Sequence, residues 1–130
     1  MLKAKDIMIQ SVFYVKPNTP VHKAMEMLIE HNISGIPVVE EDMTLVGIIS
    51  EKDILRFNTD LKDLINKPTS DFMTQPAIFF EENESILDVC QCLANNEFRR
   101  VPVTSSGTLV GVISRRDIIS IMLKAAHAHT

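Results

Sequence analysis

Two stretches of this chain are nearly the same, Val46-Gly47-Ile48-Ile49-Ser50-Glu51-Lys52-Asp53-Ile54 and Val110-Gly111-Val112-Ile113-Ser114-Arg115-Arg116-Asp117-Ile118. Two shorter segments repeat in the same order. Residues 6–10 (DIMIQ) return as residues 71–75 (DFMTQ), and residues 36–38 (IPV) return as residues 101–103 (VPV). An internal repeat decides the fold, because each copy is expected to form the same supersecondary unit. We therefore predict two related halves, residues 1–66 with a connector at their end and residues 67–130.

Each copy reads as strand, helix, strand, strand, helix, so the predicted fold class is α/β (α+β). Short apolar runs that end at turn residues predict strands, and apolar residues with helical spacing predict helices. Thr19 is the predicted cap of the first helix, with Pro20 in its first position, and Ser85 is the predicted cap of the matching helix. The predicted strands are residues 13–15, 36–39 and 45–49, then 77–80, 100–104 and 109–113, and the two copies end in helices 50–57 and 115–126.

Two further predictions concern the connector, residues 58–70, and the strand at residues 45–49. Leu61, Leu64 and Ile65 predict a short helical turn in the connector, so we expect the connector to dock and the tail, residues 127–130, to fray. The strand at residues 45–49 is continuously apolar, which predicts burial on both of its faces.

Charge and composition exclude several classes of function. The formal net charge is −4 and only 5% of the residues are aromatic, whereas nucleic-acid binders usually carry a basic stripe or stacking aromatics. No run approaches the roughly 18 apolar residues of a membrane span, and the first residues lack the apolar core of a signal peptide. We expect a cytoplasmic protein with no nucleic-acid partner and no membrane span.

Metal chemistry and catalysis are not predicted. Cys90 and Cys92 lie two positions apart on a predicted helix and point in different directions, which favours reduced core cysteines over a disulfide or a zinc site. The histidines have no spacing typical of a metal pair. Ser50 and Ser114 have no histidine at a matching position, so no nucleophile–base pair can be argued and the chain is not expected to be an enzyme.

The sharpest local pattern is Gly-x-x-Ser-x-x-Asp, which occurs in both copies where a strand enters a helix. Ser-x-x-Asp at a helix start is close to a capping box, and this structural interpretation is strong. The same geometry suits a ligand, since a helix N-terminus favours phosphate and a carboxylate can accept from ribose hydroxyls. Capping does not explain the recurring glycine, which permits a close backbone approach. Both interpretations stay open from the residues alone.

The order of elements, the Ile-Pro-Val and Arg-Val-Pro-Val strands and the repeated Val-Gly-x-Ile-Ser-x-x-Asp-Ile resemble a pair of CBS domains over roughly residues 3–123. The resemblance implies two motifs that pack through their sheets with pseudo-twofold symmetry. It implies clefts between the motifs that bind AMP, ADP, ATP or S-adenosylmethionine as a regulatory ligand, with no cofactor required. It also implies a sensor module and a homodimer.

The resemblance assigns roles to residues of this sequence. It implies that Asp53 and Asp117 hold ribose hydroxyls and that Ser50 and Ser114 contact ribose or phosphate. The strand starts at residues 35–37 and 100–102 would flank the base, partly through backbone hydrogen bonds. Residues 11–13 and 76–78 would close the adenine side. The remaining implied ligand-binding residues are Gly35, Ile36, Pro37, Val101, Pro102, Ser11, Val12, Pro76 and Ala77.

The two copies differ in their arginines. Arg99 and Arg100 precede the proline of the second copy, and Arg116 lies inside its Ser-x-x-Asp motif, whereas the first copy has no arginine there. One guanidinium group can form two parallel hydrogen bonds with the oxygens of a phosphate. We therefore predict inequivalent clefts, with the cleft lined by Arg100 taking the more phosphorylated ligand.

We expect a stand-alone regulatory module, concerned with energy sensing, that binds an adenosyl ligand and modulates an unknown partner or its own oligomer. The alternative is a structural dimerisation module that binds no ligand, in which the serines and aspartates are only helix caps. An apolar face on the last helix fits a dimer seam and fits a core contact almost as well. This face comprises Ile118, Ile119, Ile121, Met122 and Leu123.

Overall fold

The computed structural model describes residues 1–58 and 60–129, so Thr59 of the connector and Thr130 of the tail lie outside the described residues. Two compact units are present. One comprises Met1–Val12 and Ile78–Thr130, and the other comprises Phe13–Ala77. The elements are α1 (Ala4–Ile7), α2 (Val21–Glu30), β1 (Gly35–Val39), β2 (Leu45–Ser50), α3 (Glu51–Leu55), α4 (Leu61–Leu64), a 3-10 turn (Thr69–Asp71), β3 (Phe80–Glu81), α5 (Ile86–Asn95), β4 (Arg100–Ser105), β5 (Thr108–Ser114) and α6 (Arg115–Ala128).

The compact units do not coincide with the sequence copies. Residues 1–12 belong to the unit built from the second copy, and residues 67–77 belong to the unit built from the first copy. Backbone pairing explains the assignment. Ile9 pairs with Val112 in one unit, and Thr74 pairs with Ile48 in the other. The repeated segments 6–10 and 71–75 therefore each pair with the outer strand of a sheet. The division at residue 66 stays a prediction about the sequence copies.

The unit Phe13–Ala77 is built on an antiparallel pair, β1 and β2, in which Ile36 faces Ile49 across the pair. Helix α2 turns one face inward through Val21, Ala24 and Leu28. The apolar side chains of this unit form one core, because burying them together removes apolar surface from water. That core comprises Val15, Val21, Ala24, Leu28, Ile36, Val38 and Ile49.

The other unit holds a three-stranded sheet in the order β3-β4-β5, with β3 parallel to β4 and β4 antiparallel to β5. Ser85 caps α5 as predicted, since its hydroxyl accepts from the backbone N–H of Leu87 at 3.2 Å. The core of this unit comprises Ala4, Ile7, Ile86, Val89, Leu93, Val101, Val103, Ile113 and Ile118. The mixed α/β class is confirmed, and each copy shows the predicted order helix, strand, strand, helix, whereas the strand predicted at the start of the first copy does not form.

Several local predictions were wrong. Thr19 does not cap α2, because its hydroxyl accepts from the N–H of Lys16 at 3.0 Å, and Pro20 takes the cap position. The strand predicted at residues 13–15 is reduced to a bridge between Val15 and Val38. The strand predicted at residues 77–80 is short and begins at Phe80. Burial alternates along β2, so that strand is not buried on both faces.

The connector docks, as predicted. Leu64 is only 1% exposed, and the N–H of Val21 donates to the carbonyl of Lys67 at 2.8 Å. The hydroxyl of Thr69 donates to the carbonyl of Thr19 at 2.7 Å. These partly buried hydrogen bonds tie the connector to the start of α2.

The predicted dimer face on α6 divides into two parts. Ile118 is buried and Ile121 is half-buried, and both belong to the core of their unit. Ile119, Met122 and Leu123 each expose more than half of their surface. In the described part of the chain, helices are too short or too polar to cross a bilayer.

Cys90 and Cys92 are free thiols that are half-buried and pack against the core of their unit, whereas the prediction placed them inside it. Burial raises the pKa of the Cys92 thiol above its ordinary value, and a hydrogen bond from Asn96 opposes the rise. A raised pKa keeps this thiol protonated and poorly reactive at neutral pH.

Candidate functional site

The first of two related polar groups lies at the N-terminus of α3 and is called the first half-site. Its members are Ser50, Asp53 and Thr74. The Ser50 hydroxyl accepts from the N–H of Asp53 at 3.2 Å, and the Asp53 carboxylate accepts from the N–H of Ser50 at 2.8 Å. The Ser50 hydroxyl also donates to Asp53 Oδ2 at 2.9 Å. These contacts form the capping box that the sequence predicts.

Thr74 is the member of the first half-site that the sequence analysis missed. Its hydroxyl donates to Asp53 Oδ1 at 2.8 Å. Antiparallel backbone bonds with Ile48, at 3.0 and 2.8 Å, place the side chain beside the helix start. Asp53 is consequently only 8% exposed. The available signal was the repeat itself, because Thr74 in residues 71–75 stands where Ile9 stands in residues 6–10.

The second half-site lies at the N-terminus of α6 and comprises Ser114, Asp117 and Arg100. The N–H of Ser114 donates to Asp117 Oδ2 at 2.8 Å, and the N–H of Asp117 donates to the Ser114 hydroxyl at 3.1 Å. Ile9 pairs with Val112 as Thr74 pairs with Ile48, but its side chain has no donor. Within residues 1–58 and 60–129, Asp117 Oδ1 has no hydrogen-bond partner, and Asp117 is half-buried where Asp53 is buried.

The recurring glycine of the motif is explained by packing within each unit. A Cβ on Gly47 would lie 2.9 Å from both the Met73 sulfur and the Thr74 carbonyl oxygen, and a Cβ on Gly111 would lie 2.6 Å from the Met8 sulfur. Real Cβ atoms essentially never come so close to another heavy atom. The close approach that the sequence assigned to a ligand is therefore made by the chain itself, through the repeated methionines.

Arg100 stands at the start of β4, directly across the antiparallel pair from Ser114. Opposed positions on such a pair hold their Cβ atoms about 5 Å apart, so the register places the guanidinium stem beside the second half-site. The Nε atom of Arg100 is buried and has no hydrogen-bond partner in the described structure. A buried unpaired donor carries a free-energy cost unless a partner binds it.

The other arginines have different surroundings. Arg115 donates from Nε to the Leu93 carbonyl at 3.2 Å and from Nη2 to the Asn96 carbonyl at 2.6 Å, so it holds the C-terminal end of α5. Arg99 and Arg116, both implied ligand residues, expose their side chains to solvent. Of the three arginines that the sequence analysis assigns to phosphate, Arg100 is the one with a partly buried side chain.

The remaining predicted residues divide between the units. Ile36 and Val101 are almost completely buried in the two cores, with 0% and 1% of their surface exposed, so neither presents a surface to a ligand in this structure. Pro37 and Pro102 are also buried, whereas Ser11 and Pro76 are exposed and Val12 and Ala77 are half-buried. Gly35, Ile36, Pro37, Pro76 and Ala77 share a unit with the first half-site, and Ser11, Val12, Arg99, Val101, Pro102 and Arg116 share a unit with the second.

Among the described residues, His, Cys, Asp and Glu side chains do not gather in threes close enough to hold a metal ion. The serines of both half-sites cap helices and donate to or accept from aspartate and backbone. What the two groups offer chemically is binding: each has a helix N-terminus, and the second adds a carboxylate with a free acceptor atom and a guanidinium with an unpaired donor atom.

The family model for the CBS domain matches the chain twice, over residues 4–60 and 70–124. The chain belongs to the CBS domain family. Both copies of the Gly-x-x-Ser-x-x-Asp motif lie inside the matched ranges. The resemblance inferred from the repeated motifs is thereby confirmed.

Relatives and solved structures of CBS proteins support the same assignment. The uncharacterized protein MJ1225 of Methanocaldococcus jannaschii is 33% identical over 91% of this chain, which spans only 42% of that relative. CBSX2 of Arabidopsis thaliana, solved in complex with AMP, is 30% identical, with a TM-score of 0.84 over 97% of this chain and 99% of that one. The CBS pair of MJ0100, solved with 5′-methylthioadenosine and S-adenosylmethionine, is 27% identical, with a TM-score of 0.76 over 96% and 98%.

Proposed function

We propose that this CBS protein is a regulatory module that binds an adenosyl ligand, AMP, ADP, ATP or S-adenosylmethionine, with the second half-site holding ribose and phosphate. The chain transmits ligand occupancy to a protein partner or to its own oligomer and catalyses no reaction itself. A ligand shifts such an equilibrium only through different affinities for the two states. The energy-sensing role and the cytoplasmic location stay predictions.

One observation carries the proposal, the buried Nε of Arg100 without a hydrogen-bond partner. Guanidinium groups form paired, charge-assisted hydrogen bonds with phosphate oxygens. The neighbouring N-terminus of α6 adds a positive dipole end, which favours an anion at the same place. A phosphate beside Arg100 and Ser114 therefore provides the partner that the guanidinium lacks.

The Asp117 carboxylate supplies the ribose contact. A carboxylate offers about four acceptor positions, and the capping contact from Ser114 uses one of them. Adjacent ribose hydroxyls donate to the remaining positions, as they do to the acidic residue of dinucleotide folds. AMP bound to CBSX2, and 5′-methylthioadenosine and S-adenosylmethionine bound to the CBS pair of MJ0100, support this ligand class.

The structural alternative also has a specific observation in its favour. The capping boxes and the methionine contacts of Gly47 and Gly111 account for the motif without any ligand. A dimerisation module with helix caps would need nothing more, and the exposed Ile119, Met122 and Leu123 supply an apolar face for a homodimer. The unpaired Arg100 is the observation that this alternative leaves unexplained.

Thermal unfolding against a panel of AMP, ADP, ATP, S-adenosylmethionine and NADH tests the proposal, with GTP as the control. A ligand at 100 times its dissociation constant adds about 2.7 kcal/mol to the free energy of unfolding. For a domain of this size, we expect a rise in Tm of roughly 5–15 °C with at least one adenosyl compound. The absence of any rise at millimolar concentrations would support the structural alternative, and an equal rise with GTP would contradict the preference for adenosyl ligands.

A further inference from the structure

We propose that Thr74 closes the first half-site to ribose, so that the second half-site takes the first nucleotide. This inference rests on the proposed function and adds to it a residue that decides which half-site is filled. It concerns the hydroxyl of Thr74 and the residue in the matching position, Ile9.

The carboxylate of Asp53 is already engaged within its own unit. Oδ2 accepts from the backbone N–H and the hydroxyl of Ser50, at 2.8 and 2.9 Å, and Oδ1 accepts from the hydroxyl of Thr74 at 2.8 Å. These contacts occupy three of the roughly four acceptor positions of a carboxylate. Two ribose hydroxyls need two positions, so they bind Asp53 only after one of these hydrogen bonds breaks, and the bond from Thr74 is the one contributed by a separate segment of the chain.

The carboxylate of Asp117 has no such competitor. Oδ2 accepts from the N–H of Ser114, and Ile9, which stands where Thr74 stands in the first half-site, has no hydroxyl to donate. In the described structure, Oδ1 of Asp117 keeps both of its acceptor positions. Its greater exposure leaves room for hydroxyl groups to approach, whereas Asp53 is 8% exposed.

The two positions are structurally matched, which makes an exchange of their side chains a clean experiment. Thr74 and Ile9 form the same isolated antiparallel bridge, to Ile48 and Val112 respectively, with backbone N···O distances between 2.8 and 3.0 Å in both. Both side chains are branched at Cβ and both are exposed. Each unit therefore already accommodates at this position the type of side chain that the exchange places in the other.

The residue opposite the capping serine also favours nucleotide binding at the second half-site. Arg100 opposes Ser114 on β4, and Gly35 opposes Ser50 on β1. The first half-site therefore lacks the guanidinium as well as a free carboxylate oxygen. Release of Asp53 by loss of the Thr74 hydroxyl restores the ribose contact alone, so the restored site is expected to remain weaker than the second half-site.

Calorimetric titration with AMP tests the inference in four proteins: the unaltered chain, Thr74→Ile, Thr74→Ser and Ile9→Thr. Hydrogen bonds to charged groups set the expected size of the change at about tenfold or more in affinity. The unaltered chain binds one AMP per chain in the high-affinity phase. Thr74→Ile gains a second equivalent with affinity about tenfold above any weak second phase of the unaltered chain.

The other two variants are a control, Thr74→Ser, and the reciprocal exchange, Ile9→Thr. Thr74→Ser keeps a hydroxyl and retains the single high-affinity equivalent, and Ile9→Thr weakens that equivalent about tenfold because a new donor competes for Asp117. Two equivalents of equal affinity in the unaltered chain would overturn the inference and leave the proposed function intact. A Thr74→Ile protein that still binds one equivalent would overturn it as well. No binding of AMP, ATP or S-adenosylmethionine to any of the four would overturn both.

Discussion

Replacing Arg100 with alanine is expected to weaken AMP binding about 100-fold, because two charge-assisted hydrogen bonds to phosphate are lost together. The same change is expected to leave adenosine affinity within about threefold of its original value, since adenosine carries no phosphate. Folding is expected to persist, because the Nε that is removed has no hydrogen-bond partner within the described structure. Calorimetry with AMP and with adenosine measures both affinities on the same protein samples.

Neighbouring arginines provide the controls for this experiment. Arg99→Ala and Arg116→Ala remove solvent-exposed charges, whose contribution water and salt screen, so each is expected to weaken AMP binding less than about fivefold. Arg100→Lys keeps the charge but loses the planar pair of donors, and an intermediate loss of about tenfold is expected. Equal losses for all three alanine variants would show that general charge, and not the position of Arg100, attracts the nucleotide.

Gly47→Ala is expected to lower the free energy of unfolding by about 1–3 kcal/mol, the usual range for inserting an atom into a filled space. The added Cβ would lie 2.9 Å from the Thr74 carbonyl oxygen, which is backbone and cannot rotate away. Relief requires the segment that carries Thr74 to move from β2, which strains its two hydrogen bonds with Ile48. Thermal unfolding is expected to show a Tm lower by roughly 5–15 °C.

Gly35→Ala is the matched control, since Gly35 lies on the strand paired with β2. A Cβ there meets atoms at 3.5 Å and beyond, which is ordinary contact. Replacing a strand glycine without a conformational requirement reduces the entropy of the unfolded chain, so stability is expected to stay equal or rise by up to about 1 kcal/mol. Equal losses at Gly35 and Gly47 would contradict the account of the motif glycine as a packing residue.

Much of the fold was predictable because the same strand and helix signals occur in both copies of the repeat. The strands β1, β2, β4 and β5 and the helices at Ser50, Ser85 and Ser114 followed from apolar runs and capping residues. Thr19 was misassigned because a Ser or Thr before a helix has two local options. Its hydroxyl accepts from the backbone N–H of Lys16, three residues earlier, and so does not reach the helix N-terminus.

The local sequence pattern did not predict that residues 1–12 join the unit of the second copy and residues 67–77 the unit of the first. Nothing in residues 6–10 alone says which sheet they join, because backbone pairing is the same for any edge. The repeat placed Met8 and Met73 at matching positions, but only the structure shows that Met8 covers Gly111 and Met73 covers Gly47. The contact of Thr74 with Asp53 follows from that pairing, and for that reason sequence spacing did not reveal it.

The sequence predicted the type of site and its central residues, but the predicted list of ligand-binding residues was partly wrong. Ser50, Asp53, Ser114 and Asp117 lie at helix starts as the motif requires, and Arg100 lies across from Ser114 because register is fixed by the buried face of β4. Ile36 and Val101 were implied as ligand residues, but both are almost completely buried and present no surface to a ligand. Strand spacing alone does not distinguish a residue that flanks a ligand from one that fills the core.

An NMR titration of the backbone amides with AMP tests the central claim most directly, since it reports where a ligand binds. The account predicts that the amide signals of Arg100, Ser114 and Asp117 shift at the lowest AMP concentrations, and that those of Ser50 and Asp53 shift later or not at all. A spectrum unchanged at millimolar AMP, ATP and S-adenosylmethionine, or shifts at Ser50 and Asp53 before those of the second half-site, would contradict it.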